Sequence, residues 1–382
     1  MQALVLDAER KTATVQAIDV PSPGPGEALV QVRAIALNPV DALYTLKPIG
    51  NTGRVVGSDF AGVVTEVSPG SSLKPGQRVA GFLQGACSRN DRPGAFAEYV
   101  TCSTDLLWLL PDHITFEQGA TVSLCALTAA QVLFSRLGLQ PPFPIPPKQS
   151  KAVSSAPSTD PIYFLIYGAS TSVGMYTAQL IKHSAAASGK RIVLIGTASK
   201  TRFSMLSSAP YSYDHLVDYH SPEWAREVLH LTRGEGISMA LDCISEGSTV
   251  GDISHALAPA GKMAVLRSHL GGAWDLATVA PGVEPVYGAA WEGLGEVVEY
   301  QNFVLPASKE ARAFAVAFYR FLSTGAVLEP NPVRLMPGGL DKIVPDGFEL
   351  LGPGKMGERR NERKEGSMKP ISGEKVVYKI VG

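Results

Sequence analysis

Short apolar segments separated by turn residues dominate the first 110 residues of the chain. Their hydrophobic positions are continuous or alternate with polar ones, and clusters of proline, glycine and serine bound them, which is typical of strands. The pattern predicts strands at residues 4–6, 28–36, 62–67 and 78–81. We therefore expect this region to be rich in β-structure.

The hydrophobic pattern changes to a helical period from Thr115 onwards. Thr115 and Gln118 have the spacing of a helix N-terminal cap, and they predict a helix over residues 119–137. Residues 140–161 are rich in proline and serine. Because proline is excluded from helix interiors and central strands, we expect this segment to be an exposed surface loop.

Strand and helix patterns alternate over residues 162–300. The apolar runs predict strands at residues 162–167, 191–196, 216–218, 239–242 and 262–266. Strands that alternate with helices favour an α/β fold with a doubly wound parallel sheet. The rest of the chain predicts an amphipathic helix at residues 311–324, a solvated charged loop at 356–369 and a closing strand at 375–381.

Composition and charge narrow the functional classes. The 382 residues are 45% hydrophobic and 18% charged, with a net charge of −1. This length suits two domains, and the missing basic excess argues against a general binder of nucleic acids or acidic membranes. No apolar run reaches the roughly 18 residues of a membrane span, and the start lacks a signal-peptide layout. We therefore expect an intracellular, cytoplasmic protein.

The cysteines offer no recognisable chemistry. Cys87, Cys102, Cys125 and Cys243 do not form a CxxC pair. Neither a zinc-binding lobe nor a redox-active dithiol is therefore indicated, and we expect buried or chemically idle thiols.

The strongest chemical signal lies at residues 163–180, where an apolar strand runs into a turn of small residues and then into a helix. Small residues let the backbone approach a pyrophosphate, and the helix N-terminus offers N–H donors and a positive dipole. A tight turn without a ligand is the alternative, which the following strand–helix alternation disfavours. The candidate cofactor-binding residues of this turn are Gly168, Ser170, Thr171, Ser172, Val173 and Gly174.

The residues after the second strand of this region bear on the choice between NAD and NADP. An NAD site usually has Asp or Glu here, which binds the ribose 2′-hydroxyl. This chain has hydroxyl, ammonium and guanidinium groups instead, which suit the 2′-phosphate of NADPH. We expect NADPH as the cofactor, and a solvated basic loop is the alternative. The residues concerned are Ser199, Lys200, Thr201 and Arg202.

Five motifs spread over nearly the whole chain resemble those of the medium-chain dehydrogenase/reductases, in particular the quinone-reductase-like branch. They lie, in family order, at residues 38–41 (NPVD), 57–64 (GSDFAGVV), 74–79 (KPGQRV), 94–100 (GAFAEYV) and 372–375 (SGEK). Each motif alone is weak, but together they are specific.

A narrower resemblance is to the fungal enoyl reductases that act in trans with highly reducing polyketide synthases. It rests on residues 167–174, 199–202, 217–219 and 241–244. The first of these segments has Ser-Thr-Ser where most quinone reductases have a Gly-Gly pair.

The resemblance implies a fold and a metal content. A Rossmann domain at residues 126–299 would be inserted in a GroES-like, β-rich catalytic domain formed by residues 1–125 and 300–382. Zinc-dependent members of the superfamily have an early Cys ligand, and they have Gly-His-Glu where this chain has Gly57, Ser58 and Asp59. Three nitrogen or sulfur ligands cannot be assembled there, so we expect no metal.

The resemblance also implies further site residues. Additional cofactor contacts would come from Val40, Asp41, Ala42, Leu43, Tyr219, Leu266, Arg267, Ile371 and Ser372. The substrate would lie along two largely apolar stretches, formed by Thr128, Ala129, Ala130, Gln131, Val132, Leu133, Phe134 and Ser135 and by Val283, Glu284, Pro285, Val286 and Tyr287. Ordinary helix and strand packing is the alternative for both stretches.

The implied reaction is hydride transfer from NADPH to the β-carbon of an α,β-unsaturated thioester, followed by protonation of the α-carbon. A partner polyketide synthase would carry the acyl chain. Related reductases often have Lys at the position of Leu43, so the proton donor is open. Tyr44 and Lys47 are the candidate catalytic residues, and a packed ring and a surface amine are the alternatives.

Two other functions stay open from the sequence. One is a zinc-free quinone or enal reductase that acts on free small molecules. The other is a non-catalytic nucleotide-binding protein, which the intact turn at residues 168–174 disfavours. The sequence does not decide between a monomer and a homodimer.

Overall fold

A computed structural model of the chain describes residues 1–145, 161–325, 328–359 and 363–380. Most of the predicted surface loop, residues 146–160, lies outside the described residues. The chain divides into two compact units. Unit 1 comprises Met1–Leu124 and Trp291–Gly382, and unit 2 comprises Cys125–Ala290.

The strands are numbered in chain order across both units. They are β1 (Gln2–Asp7), β2 (Thr12–Ala17), β3 (Glu27–Ala36), β4 (Gly57–Val67), β5 (Arg78–Gly85), β6 (Tyr99–Ser103), β7 (Trp108–Leu109), β8 (Ile162–Tyr167), β9 (Ile192–Ala198), β10 (His215–Asp218), β11 (Ile237–Asp242), β12 (Leu257–Val265), β13 (Val286–Tyr287), β14 (Val298–Glu299), β15 (Val304–Leu305), β16 (Val333–Leu335) and β17 (Lys375–Lys379).

The α-helices are numbered in the same way. They are α1 (Pro39–Leu46), α2 (Phe116–Gly119), α3 (Ser123–Ala130), α4 (Ser172–Ser188), α5 (Phe203–Ser207), α6 (Trp224–Leu231), α7 (Thr249–His255), α8 (Lys309–Leu322) and α9 (Glu349–Leu351). Single π-helical stretches follow α3 at Gln131–Arg136 and precede α9 at Ile343–Phe348.

Unit 1 is built on a seven-stranded sheet in the order β16-β17-β3-β4-β5-β7, in which β6 also pairs with β3. The central strands β3, β4 and β5 are antiparallel and almost entirely buried on both faces. β17 pairs antiparallel with the end of β3, with Val377 opposite Ala36. The late strand β17 therefore lies beside the point where the chain leaves β3 and enters α1.

Unit 2 is a six-stranded parallel sheet in the order β10-β9-β8-β11-β12-β13. Helices α4 to α7 connect its strands. The middle strand β8 is fully buried at Phe164, Leu165 and Ile166, as expected where helices cover both faces of a parallel sheet. The predicted α/β fold, a doubly wound sheet together with a β-rich unit, is confirmed.

The segment around α2 and α3 differs from its prediction. Instead of one regular helix over residues 119–137, the chain forms α2, then α3, then the π-helical stretch. Phe116–Arg136 is also long and apolar enough to cross a membrane by length and composition, with a mean hydropathy of 1.2, so the expectation that no run reaches this length is wrong. Since 83% of its most apolar window is buried, the segment has the burial of a core helix.

Most described residues of the charged segment at 356–369 are exposed, as the predicted solvated loop requires. Arg363 forms ion pairs with Asp346 at 2.6 Å and with Glu365 at 3.1 Å. Met368 is 1% exposed. The ion pairs of Arg363 and the buried Met368 therefore attach a largely exposed segment to unit 1.

Candidate functional site

The candidate cofactor site lies where the strand order of unit 2 reverses. β8 has β9 on one side and β11 on the other. The chain runs from β8 outwards through β9 to β10, and then crosses back to β11 on the other side of β8. Tyr167, the last residue of β8, lies opposite Thr197 of β9 and Asp242 of β11. In doubly wound sheets, dinucleotides bind at the carboxyl ends of the strands at such a reversal.

The dinucleotide turn, residues 168–174, connects β8 to α4 at this point. Gly168 has a φ of 82°, a left-handed conformation that favours glycine. Thr171 caps the helix: its hydroxyl accepts the N–H of Gly174 at 3.1 Å and donates to the carbonyl of Gly168 at 2.8 Å. The 17-residue helix α4 thus begins in a well-formed turn and directs its N-terminal N–H groups towards the crevice.

Gly174 is required by the packing of this turn. A Cβ atom at this position would lie 2.5 Å from the carbonyl oxygen of Gly168 and 3.0 Å from that of Ala169. Both neighbours are backbone atoms, which cannot rotate away. The third glycine of dinucleotide-binding turns has this role, because it lets the helix pack closely on the strand.

Replacing Gly174 by alanine is expected to lower the free energy of unfolding by about 1–3 kcal/mol, since the turn has to open to admit the methyl group. Dinucleotide affinity should fall by about tenfold or more. Denaturant unfolding and a fluorescence titration with NADPH measure the two effects. Gly271→Ala is the matched control in the same unit, because a Cβ there meets nothing within 4 Å. Equal behaviour of the two variants would refute the close-packing role.

The basic turn, residues 199–202, follows β9 at the same edge of the sheet. Asp218, the end of β10, lies opposite Ala198 in register, so the basic turn and Tyr219 leave the sheet side by side. Lys200 and Thr201 are exposed, and Tyr219 is 42% exposed. These hydroxyl and basic side chains border accessible space, which fits the binding of an anionic group.

Leu266 and Arg267 follow β12 farther along this edge. The N–H of Leu266 donates to the Ser245 hydroxyl at 2.9 Å, and the guanidinium of Arg267 forms an ion pair with Glu246. Asp242 holds the preceding turn together by accepting the Thr249 hydroxyl at 2.6 Å. Burial raises the pKa of Asp242 to about 6, although the hydrogen bonds to Thr249 and to backbone N–H groups oppose this shift.

The two predicted substrate stretches come together within unit 2. Arg136 donates to the carbonyl of Tyr287 at 3.2 Å, and Gln131 donates to that of Ala289 at 3.0 Å. Thr128 and Ser135 are half-buried, and Glu284 is exposed. Six residues of the first stretch are at most 4% exposed, namely Ala129, Ala130, Gln131, Val132, Leu133 and Phe134. In this conformation, the two ends of the first stretch and the whole of the second stretch are accessible.

Unit 1 contains a buried network of five polar residues: Asn38, Asp41, Ser58, Asp59 and Lys375. The ammonium of Lys375 donates to Asp59 at 2.8 Å and to the side-chain oxygen of Asn38 at 2.9 Å. The amide of Asn38 donates to Ser58 and Asp59, and its backbone N–H donates to Asp41 at 2.7 Å. All five are at most 3% exposed, so the network fixes the start of α1 from inside the fold.

Asp41 is the unusual acid of this network. Burial raises its pKa from 3.8 to about 7, although hydrogen bonds from the Asn38 backbone and from Ser58 oppose the shift. The neighbouring Asp59 carboxylate adds to the increase. The ammonium of Lys375 contacts Asp59, and its charge lowers the pKa of Asp41 by less than burial raises it.

The candidate catalytic residues lie on α1 and just after it. Tyr44 is half-buried, with its ring centroid 6.3 Å from that of Tyr300. Lys47 is exposed and lies 3.8 Å from Glu358. Val40, Ala42 and Leu43 share the helix with them, as does Asp41. The structure thus places Tyr44 as a packed ring with an accessible side and Lys47 as a surface amine.

Ile371 and Ser372 are brought close to α1 by β17. Both are half-buried and precede Lys375, which contacts Asn38 at the start of α1. The N–H of Ser372 donates to Glu374 at 3.0 Å. Residues 371–375 and the start of α1 are far apart in the sequence, but they lie next to each other in unit 1.

Sequence reasoning did not single out the buried network, although all of its members lie in the motifs that carry the resemblance. The available signal was a charged residue directly before an apolar run, at Asp59 in β4 and at Lys375 in β17. Among the described residues, no three His, Cys, Asp or Glu side chains are grouped so that they could hold a metal ion.

Unit 2 is a doubly wound parallel sheet with a dinucleotide turn at its strand reversal, and unit 1 is rich in β-structure. This combination defines a dehydrogenase or reductase of the medium-chain class. Residues 24–112 match the family model of the alcohol dehydrogenase GroES-like domain.

Full-length relatives specify the family. The chain is 30% identical to a trans-enoyl reductase of Alternaria alternata, over 99% of this chain and 98% of the relative. It is also 30% identical to a trans-enoyl reductase of Penicillium crustosum, over 99% of this chain and 96% of the relative. The chain therefore belongs to the trans-enoyl reductase family of the medium-chain dehydrogenase/reductases, and it is an oxidoreductase.

Solved structures agree on the fold. The CurK enoyl reductase superposes with a TM-score of 0.69 at 18% identity, covering 99% of this chain and 98% of the other. An alcohol dehydrogenase superfamily protein from Novosphingobium aromaticivorans superposes with a TM-score of 0.72 at 19% identity, covering both chains completely.

Proposed function

We propose that this protein is an NADPH-dependent, trans-acting enoyl reductase, which reduces the α,β-double bond of an enoyl thioester carried by a polyketide synthase. The observation that carries the proposal is the well-formed dinucleotide turn in a chain that matches trans-enoyl reductases over nearly its whole length. In dinucleotide-binding members of this fold class, a helix N-terminus and a closely packed glycine hold the pyrophosphate in this way.

The described residues fit a nicotinamide dinucleotide. The dinucleotide turn would hold the pyrophosphate, and Ser199, Lys200, Thr201 and Arg202 would hold the 2′-phosphate. Leu266 and Arg267 would line the crevice farther along the sheet edge. When bound, the nicotinamide supplies a hydride to the β-carbon of the enoyl group.

The chain's own residues bind and orient the reactants and deliver a proton. The accessible residues of the two substrate stretches, which are Thr128, Ser135 and residues 283–287, would border the acyl chain. Tyr44 is the better placed of the two proton donors, because its ring is fixed by packing against Tyr300, whereas Lys47 is an exposed amine beside Glu358. An ordered water molecule would serve equally, since solvent can protonate an enolate.

The preference for NADPH has a direct test. Arg202→Ala and Lys200→Ala should each weaken NADPH binding by about 1–3 kcal/mol and leave NADH binding nearly unchanged, because NADH lacks the 2′-phosphate. Dissociation constants from fluorescence titrations give the comparison. Arg226→Ala is the control, since this exposed arginine of unit 2 lies on α6 and pairs with Glu223. Equal affinity of the unmodified protein for NADPH and NADH would show that it does not prefer NADPH.

The reaction is tested by NADPH oxidation with three acceptors. We expect enoyl thioesters of pantetheine to turn over faster than quinones, and the same acyl groups on a carrier protein to turn over faster still. Gly174→Ala, whose dinucleotide affinity should be lowered, provides the reference with reduced turnover at a fixed NADPH concentration. Quinones that turn over orders of magnitude faster than any enoyl thioester would establish a quinone or enal reductase instead. Binding of NADPH without turnover of any acceptor would indicate a non-catalytic nucleotide-binding protein.

A further inference from the structure

An aspartate–histidine pair occupies the edge of unit 2 next to the basic turn. Asp218 ends β10 and lies opposite Ala198, the last residue of β9. His220 follows two residues later, after Tyr219. The loop that carries His220 and the basic turn therefore leave two neighbouring strands at the same level.

His220 is held in one orientation. Its backbone N–H donates to Asp218 at 3.1 Å, and its ring nitrogen Nδ1 lies 2.7 Å from the same carboxylate oxygen. The ring also stacks on Tyr219, with centroids 4.1 Å apart. Two hydrogen bonds and a ring contact fix an imidazole whose side chain is 62% exposed.

The partner of Nδ1 determines which ring nitrogen is available. The hydrogen bonds from the His220 ring and backbone lower the pKa of Asp218, with a further contribution from Lys200, so this carboxyl is ionised at neutral pH. An ionised carboxylate can only accept hydrogen bonds, so Nδ1 must carry a hydrogen. The opposite nitrogen, Nε2, is then the group that the accessible ring presents to a ligand.

We propose that His220 is a specificity-determining residue for the cofactor, whose imidazolium form donates from Nδ1 to Asp218 and from Nε2 to the 2′-phosphate of NADPH, and that Asp218 is its positioning residue. This inference rests on the proposed preference for NADPH. His220 adds a third basic group to Lys200 and Arg202, and it follows a different strand. Three donors on two strand ends can surround a phosphate that the basic turn alone contacts from one side.

The charged and titratable groups around His220 define how this contact depends on pH. Asp218 and Tyr219 neighbour it on its own loop, and Lys200 of the basic turn acts electrostatically on Asp218. Glu227 of α6 approaches the same loop through its hydrogen bond with Ser221. Both ring nitrogens carry a hydrogen only in the imidazolium form, so lowering the pH favours the donation from Nε2 to the phosphate.

The test uses His220→Asn in the full-length protein. An asparagine amide can replace Nδ1 and keep the contact with Asp218, but it has no counterpart of Nε2. We expect NADPH affinity to fall about five- to tenfold, with NADH affinity and the thermal unfolding midpoint unchanged. The loss should be larger at pH 6 than at pH 8. The 2′-phosphate titrates in both proteins, so its own protonation cancels in the comparison.

Two further variants complete the experiment. His230→Asn removes an exposed histidine from α6 of the same unit and should change neither affinity. Asp218→Asn tests positioning: it should weaken NADPH less than His220→Asn does, and it should alter the pH profile of the NADPH-to-NADH affinity ratio.

The outcomes separate this inference from the proposed function. Equal affinities of the unmodified protein for NADPH and NADH would overturn the NADPH preference itself. A preference for NADPH that His220→Asn leaves intact at both pH values would overturn the role of His220 alone. Equal weakening of NADPH and NADH would also overturn it, because it would place His220 against the part of the nucleotide that both cofactors share.

Discussion

Replacing Lys375 by methionine is expected to lower the free energy of unfolding by about 3–5 kcal/mol, because it leaves a buried carboxylate without its cation. Lys375 is 3% exposed and Asp59 is fully buried, so water cannot replace the lost ammonium. The second oxygen of Asp59 accepts the N–H of Leu124 at 2.9 Å, which holds the carboxylate in place. Denaturant unfolding measures the loss.

The same strand provides the control for this prediction. Lys379→Met removes the other lysine of β17, whose side chain is 54% exposed and pairs with Glu117 at 3.1 Å, and it should cost less than about 1 kcal/mol. In a second step, Asp59→Asn combined with Lys375→Met should recover part of the stability, because the uncompensated charge is then gone. Equal losses for Lys375→Met and Lys379→Met would show that the buried ion pair has no special weight.

Asp41→Asn is expected to change the pH dependence of stability. The folded protein raises the pKa of Asp41 from 3.8 to about 7, mainly by burial, so it binds this proton more tightly than the unfolded chain does. The ionised carboxyl therefore destabilises the fold progressively as the pH rises from 3.8 to about 7, and the full cost is present above that range. Asparagine does not ionise, so the variant lacks this pH-dependent destabilisation.

The measurement compares the variant with the unmodified protein at two pH values. Relative to the unmodified protein, Asp41→Asn should gain about 2–3 kcal/mol in unfolding free energy between pH 5 and pH 8. Asp112→Asn, at an exposed carboxyl of the same unit, should show no such gain. A stability difference that is the same at both pH values would mean that Asp41 titrates alike in the folded and unfolded chain.

Continuous apolar runs made unit 2 predictable. The predicted strand at residues 162–167 coincides with β8, because a strand buried on both faces has no polar position to obscure its bounds. β13 is two residues long and α1 has eight, and such short elements carry too little periodicity to be recognised. Their presence depends on tertiary contacts, such as the hydrogen bonds that Asn38 makes at the start of α1.

The candidate site was predictable where backbone geometry determines the residue type. Gly168 and Gly174 are glycines for reasons of conformation and space, and such requirements leave a visible pattern in the sequence. The pair of Asp218 and His220 leaves no comparable pattern, because its importance depends on the register between β9 and β10. The raised pKa of Asp41 likewise follows from burial, which neighbouring residues in the sequence do not reveal.

The pairing of β17 with β3 sets an order of events during protein synthesis. The contact between Lys375 and Asn38 spans 337 residues, so at ribosomal rates the nascent chain waits roughly 20–70 seconds for its partner strand. Unit 2 is a continuous segment and emerges complete within that interval. Until β17 arrives, the end of β3 presents unpaired backbone groups that can recruit another chain. Nascent unit 1 is therefore the part of this protein that most needs a chaperone.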